Sequence, residues 1–353
     1  MERSRRSRKR KQNSKTAVVL IVVLLIILGA AAAVFLKPWK EEETTVVVST
    51  TAETTSAQAT TAAPVTEAVT ETTPEETTTP VETAPSYPTS KNGYRDGGSV
   101  LLDPAWKYAD FSEIHEGSAV MYLAAENRKD IIVGVNAGHG TKGGSEKSTY
   151  SHPDKTGKVT GGTNAYGAVM SMCVSPGMTF DDGTPESAIT LREAQILKEM
   201  LLADGYDVLM IRDGEDVQLD NVARTVICNN AADCHIAVHW DSDGLDYDKG
   251  VFYCAVPDPL KKMEPVASVW EKSEELGECL LLGLAGQKVK KFVKGTMDLD
   301  LTQTANSTIP SVDMELGNQS SKTDDETLTT LAAGLLSGIN AYFGFNAGEG
   351  ETQ

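Results

Sequence analysis

Between Ala17 and Leu36 the chain runs AVVLIVVLLIILGAAAAVFL without one charged residue. Twenty helical residues at about 1.5 Å each extend about 30 Å, the thickness of a bilayer's hydrocarbon core. Residues 1–16 hold eight Lys or Arg against the single acid Glu2, and Lys15 and Lys37 bracket the apolar run. Long basic side chains at such ends snorkel to the interface, and a basic N-terminal flank stays in the cytoplasm. The competing reading is a cleaved signal peptide, with Ala31, Ala32 and Ala33 imitating a cleavage site. A signal's apolar stretch spans about 7–15 residues, and here it continues through Val34, Phe35 and Leu36. The expectation is a single-pass transmembrane anchor over 17–36, with a cytoplasmic tail at 1–16 and everything after 37 outside the cell.

Next comes a stretch that cannot fold by itself. Residues 41–90 are mostly Thr, Glu, Ala and Pro, with no Lys or Arg and one aromatic, Tyr87. That composition buries too little apolar surface to offset the entropy of ordering a backbone. Residues 37–91 are therefore expected to be a disordered linker. A flexible coil of that length averages about 40 Å end to end, enough to hold a domain away from its membrane. A folded domain is left with 92–346, followed by a short tail at 347–353. The formal charge of −18 argues against nucleic acid as a partner, because phosphate contacts need Lys and Arg. Five Cys without a Cys-x-x-Cys spacing exclude a dense disulfide scaffold and a thiolate zinc finger.

The last two thirds alternate strands and helices. SAVMYLA (118–124) and IIVGVNA (131–137) predict strands, the second apolar on both faces and hence fully buried. Thr184-Pro185-Glu186 predicts a helix start, with Thr184 as the cap and Pro185 in the first turn. Ile189, Ile196, Leu197, Met200 and Leu201 follow at helical spacing, and Asp204-Gly205 ends the run. Strand YDVLMI (206–211), a helix near 219–232, strands HIAVHW (235–240) and GVFYCAV (250–256), a helix near 265–286 and strand SVDMEL (311–316) come next. Thr323-Asp-Asp-Glu326 has the form of a capping box for a last helix burying Leu328, Leu331, Leu335, Leu336 and Ile339. The expected class is α/β, a mainly parallel sheet with helices on both faces.

Gly138-His-Gly140-Thr-Lys-Gly143 matches a dinucleotide-binding fingerprint and follows a buried strand. That motif needs a helix to begin at once beneath the pyrophosphate. The continuation SEKSTYSHPDKTGKV is rich in loop formers, so no nucleotide cofactor is expected. The same segment supplies a different chemistry. His139 and His239 each stand at the C-terminal end of a predicted strand, where open α/β sheets collect ligands. Glu186 opens a helix and Glu315 closes a strand, so all four could converge. Two imidazoles and a carboxylate form a three-ligand set for Zn²⁺ with a fourth position open. Singly, each has a duller explanation: a dipole-favoured Glu in a first turn, or a hydrogen-bonded strand-end His.

Taken together, the segment from about 131 to 340 resembles the zinc-dependent N-acetylmuramoyl-L-alanine amidases, hydrolases of bacterial peptidoglycan. The resemblance rests on IIVGVNAGHG, ESAITLREAQILKEMLLADGYDVLMIRD, LDNVARTVICNNAADCHIAVH, GVFYCAV and IPSVDMELG, in that order. It implies one zinc ion held by His139, Glu186 and His239, with Glu315 as the catalytic acid/base. It also implies the bond cut, the amide between the lactyl group of N-acetylmuramic acid and L-alanine. Peptidoglycan is then the partner outside the cell, and the membrane is met through residues 17–36. Two rivals stay open: a catalytically dead wall-binding module of this fold, and a zinc peptidase acting within the stem peptide.

The sequence departs from the family pattern at Trp240-Asp241, after the second His, and at Asn318-Gln-Ser-Ser, after the catalytic Glu. Residues 141–185 separate the first two ligands by far more than a tight loop, which predicts a segment that shapes or covers the cleft. Arg212 and Arg224 are expected to form ion pairs near the sheet edge, and with Asn318 are candidate substrate contacts. His235 is read as packing, while His115 and His152 have no nameable partner. Cys173, Cys228, Cys234, Cys254 and Cys279 are read as free thiols, with a bridge between Cys228 and Cys234 as the alternative.

Overall fold

The computed structural model describes residues 88–345. In chain order these form β1 (Gly98–Leu101), β2 (Ser118–Tyr122), β3 (Ile132–Ala137), β4 (Ser148–Tyr150), β5 (Met170–Met172), α1 (Glu186–Ala203), β6 (Asp207–Met210) and α2 (Asn221–Ala231). The second half holds β7 (Cys234–Asp241), β8 (Val251–Ala255), α3 (Trp270–Gly286), β9 (Lys291–Asp298), α4 (Thr302–Asn306), β10 (Ser311–Asn318) and α5 (Asp325–Tyr342). Among the described residues no helix is long and apolar enough to cross a membrane. The basic tail 1–16, the apolar run 17–36, the linker as far as residue 87 and the tail from 346 lie outside them.

Eight strands form one sheet in the order β1-β2-β6-β3-β7-β10-β8-β9, and β4 and β5 form a separate hairpin-like pair. The pairings β6–β3, β3–β7, β7–β10 and β8–β9 are parallel, and those at β1–β2, β2–β6 and β10–β8 are antiparallel. The sheet is thus mainly parallel, as its alternating pattern predicted. Helices α1, α3 and α5 cover one face in a core that includes Val133, Leu197, Val238, Met314 and Leu335. Helix α2 covers the other through Ile227 and Cys228, which pack on Ile132 and Leu209. With both faces covered, every residue of β3 is buried.

Local chemistry sets the element ends, in two places one residue away from the expectation. Thr184 does not cap α1. Its carbonyl accepts from Phe180 N in a preceding turn, and extended Pro185 takes the cap position, which makes Glu186 the first helical residue. In α5 the cap is Asp324, whose carboxylate accepts from Thr327 N at 2.9 Å, rather than Thr323. Helices α3 and α5 approach so closely that a Cβ on Gly283 would lie 2.2 Å from Gly334 O, and one on Gly338 2.5 Å from Leu280 Cα. Any side chain at these positions forces the helices apart.

All five cysteines are free, Cys228 and Cys234 included. His235 is buried with neither ring nitrogen hydrogen-bonded. Burial, and then the charge of Arg224, push its pKa down to about 3, so it packs as a neutral ring. No helix follows β3, which disposes of the dinucleotide fingerprint. His139 and Gly140 instead turn the chain with φ of 63° and 69°.

Candidate active site

His139 follows β3, Glu186 begins α1 and His239 stands in β7, and the structure brings the three together at one end of the sheet. Glu186 Oε1 lies 2.9 Å from His139 Nε2 and 3.1 Å from His239 Nδ1, and the two nitrogens are 3.0 Å apart. A tetrahedral zinc with bonds of about 2.0–2.1 Å spaces its ligand atoms by about 3.3 Å. The observed triangle is close to that spacing, and its donors are the nitrogen and oxygen atoms zinc prefers.

Each donor is also aimed. His139 Nδ1 donates to Ser175 O at 2.8 Å, which leaves the lone pair on Nε2 facing the cluster. Glu186, only 2% exposed, accepts from Met178 N (2.9 Å) on one oxygen and Trp240 N (3.0 Å) on the other. The ring of His239 lies against Gly138, where an added Cβ would sit 2.2 Å from its Cε1. Burial alone would raise the Glu186 pKa, but the hydrogen bonds from His139 and His239 outweigh it and hold the carboxylate ionised far below its usual range. For His239, burial is likewise outweighed by Asp313 and Glu186, which lift it to about 10. A cation held there would displace a proton from His239, so its affinity would fall as pH falls.

Glu315 pairs in register with His239 across the parallel β7–β10 ladder, so both share one sheet face. Its Oε2 is buried without a hydrogen-bond partner. Burial first, and Asp313 second, push its carboxyl well above the ordinary range, which suits a group that carries a proton. The four residues line one cleft of about 560 Å³.

Other candidates are placed differently from expectation. Arg224 is 1% exposed, and its five N–H groups are spent on Leu219 O, Asn136 Oδ1, Ala137 O, His139 O and Thr141 Oγ1. Arg212 binds Ala137 O, Gly138 O, Ser187 O, Gly214 O and Thr190 Oγ1. Neither makes the expected ion pair or has a side chain free for substrate. Both brace the backbone that carries His139. Asn318 is fully buried, donating to Asp243 Oδ1 and Tyr247 O, so it holds the loop after β7 rather than a substrate.

The long segment 141–185 contains β4 and β5, and its residues 158–164 and 172–178 supply cleft-lining groups. It is pinned by a buried carboxylate that the sequence did not reveal. Asp300 Oδ2 meets His152 Nε2 at 2.9 Å, its Oδ1 meets Lys158 Nζ at 3.1 Å, and Val159 N donates to Oδ2 at 2.7 Å. His152, expected to be without a partner, thus has one 148 residues away. Asp300→Ala leaves Lys158 buried without its charge partner and is expected to cost about 3–5 kcal/mol. A thermal melt and amide exchange over 148–172 check this; the segment should lose protection first. Exchange unchanged from the parent would show that Asp300 does not hold the wall.

Fold and site together bring two imidazoles and a carboxylate that could hold a metal ion to one end of the sheet, with a buried acid beside them. The chain belongs to the N-acetylmuramoyl-L-alanine amidase family, whose model matches residues 133–334. Among solved structures it is similar to the N-acetylmuramyl-L-alanine amidase Ami1 from Mycobacterium smegmatis, at 19% identity and a TM-score of 0.50, covering 61% of this chain and 97% of that one. The apo form of Ami1 from Mycobacterium abscessus aligns at 20% identity and a TM-score of 0.48, over 60% of this chain and 98% of that one. At such identity the first likeness shows a shared fold. No curated protein sequence matches the chain.

Proposed function

We propose that this amidase is a zinc enzyme that cuts the amide between N-acetylmuramic acid and L-alanine while anchored in the membrane that faces its substrate. The observation that carries the zinc reading is the triad His139, Glu186 and His239, whose donor atoms meet with separate orienting partners. A zinc ion held there would act as a Lewis acid on the scissile amide and on water. The chain's own residues do the rest. Glu315 takes a proton at its unpartnered Oε2 and delivers it to the leaving nitrogen. The wall built from 158–164 and 172–178 lines the cleft and orients the substrate in it.

The experiment is a digest of purified peptidoglycan by the full chain, with and without chelator, followed by identification of the new amine termini. Free N-terminal L-alanine that disappears with chelator supports the reading. Cuts between amino acids would make it a stem-peptide peptidase. Metal uptake without cleavage would make it a wall-binding module.

Anchoring rests on the uncharged run 17–36 and the eight basic residues before it. The N-terminus then lies in the cytoplasm and the catalytic domain outside, against the wall. Removing residues 1–36 should move the protein from the membrane pellet to the soluble fraction and leave turnover of a soluble muramoyl peptide unchanged. Fractionation and a kinetic assay of the truncated chain check both halves.

A further inference from the structure

Two acids stand two residues apart on β10, Asp313 and Glu315, and side chains at that spacing in a strand share one face. Only Glu315 has a role in the chemistry above. Asp313 is 8% exposed, and its Oδ1 has no hydrogen-bond partner. A buried, incompletely paired carboxylate costs stability, and a strand otherwise reading Ser-Val-x-Met would pack better with an apolar residue there. What it faces explains its presence. Asp313 Oδ2 is 3.7 Å from His239 Nε2, an ion-pair separation, and the other nitrogen of that ring is the one turned to Glu186 and His139.

We propose that Asp313 is a positioning residue for His239: its carboxylate, facing Nε2 across 3.7 Å, electrostatically favours the tautomer with the proton on Nε2 and leaves the Nδ1 lone pair for the metal. The proposal rests on the metal reading of the triad and adds a division of labour within one strand. The geometry distinguishes the two histidines. His139 is oriented by a neutral carbonyl, Ser175 O, and His239 by a charged group, which increases the donor strength of the ring as well as fixing its tautomer. Gly138 leaves the His239 ring no room to shift toward β3, so a partner on the Nε2 side completes its confinement. Cys254, on neighbouring β8, lies in the same group of side chains as Asp313 but makes no ion pair with His239, and serves as the control.

The test uses the full chain in detergent, stripped with chelator and titrated with zinc against a chromophoric competitor at fixed pH. D313N should bind zinc about 10–100-fold more weakly than the parent, as expected for loss of an outer partner of a metal histidine. Its KM at saturating zinc should be unchanged, and D313E should restore most of the affinity. C254A should bind zinc as the parent does. D313L separates positioning from mere structure: removing a buried carboxylate should raise the melting temperature of the stripped protein while zinc affinity still falls. A residue that only packs would move both in the same direction. Parental zinc affinity in D313N and D313L would overturn the proposal. So would intact affinity with a raised KM, which would make Asp313 a substrate contact. If the parent itself takes up no zinc, the metal reading falls first and this inference with it.

Discussion

Glu315→Gln is expected to lower kcat by about 10²–10⁴-fold, the usual contribution of a positioned proton carrier, while zinc content stays at the parental level. Gln fills the same volume on β10 and keeps an acceptor oxygen, but it cannot take up a proton and pass it on. The substitution also removes one of two neighbouring acids that share a buried face, so the fold should be retained or slightly stabilised. The assay is turnover of a muramoyl peptide together with metal analysis of the same sample. A rate within about tenfold of the parent, well short of that range, would move the proton-carrying role away from Glu315.

The second large effect is expected at Glu186. Its two oxygens accept from two backbone N–H groups, Met178 N and Trp240 N, and its Oε1 also faces both histidines. In Glu186→Gln the amide NH₂ must point at an N–H on one side or the other. The variant therefore loses a charged ligand and gains a donor–donor conflict, at about 1–3 kcal/mol for the group left unsatisfied. Zinc should be absent from the purified variant and peptidoglycan cleavage reduced to background. Metal analysis and a thermal melt check the two parts, and a zinc-loaded, active E186Q protein would remove Glu186 from the ligand set. In the stripped parent the pH dependence has a definite sign. Glu186 has a lowered pKa, so its contribution is present above about 4.5 and lost in acid; His239 has a raised one, so its contribution is complete below about 6.5 and fades as pH rises toward about 10. The metal-free protein should therefore be helped most by this pair between about pH 4.5 and 6.5.

What could be read from the chain depended on whether the deciding partner was local. Strands β3, β7 and β10 are legible because IIVGVNA is apolar on both faces and HIAVHW and SVDMEL alternate apolar residues with others, and the site residues stand near their C-terminal ends. The helix starts were nearly right because capping is local, although Asp324 outcompeted Thr323 by one position. Strand β9 was not anticipated: KFVKGTMD is an edge strand, mostly solvent-facing, with a Gly at φ 75° and three charged residues, so it lacks alternation. Strands β4 and β5 are three residues each, too short for any period to register. The bracing roles of Arg212 and Arg224 are not legible because their acceptors are mostly main-chain carbonyls, which leave no trace in sequence. Asp300 was hidden for a related reason, since its partners His152 and Lys158 lie 148 and 142 positions earlier in the chain. Asp313 carries a usable signal, a second acid two residues before Glu315 on the same face of a buried strand.

His239 and Glu315 stand in register on adjacent central strands, tied by a parallel ladder with two further strands on one side of it and more on the other. The spacing between a metal donor and the proton carrier is therefore a property of the sheet itself and does not depend on how a loop settles. Heat inactivation should then coincide with cooperative melting of the whole domain, and damage confined to the outlying strand β1 should leave the half-life of activity almost untouched.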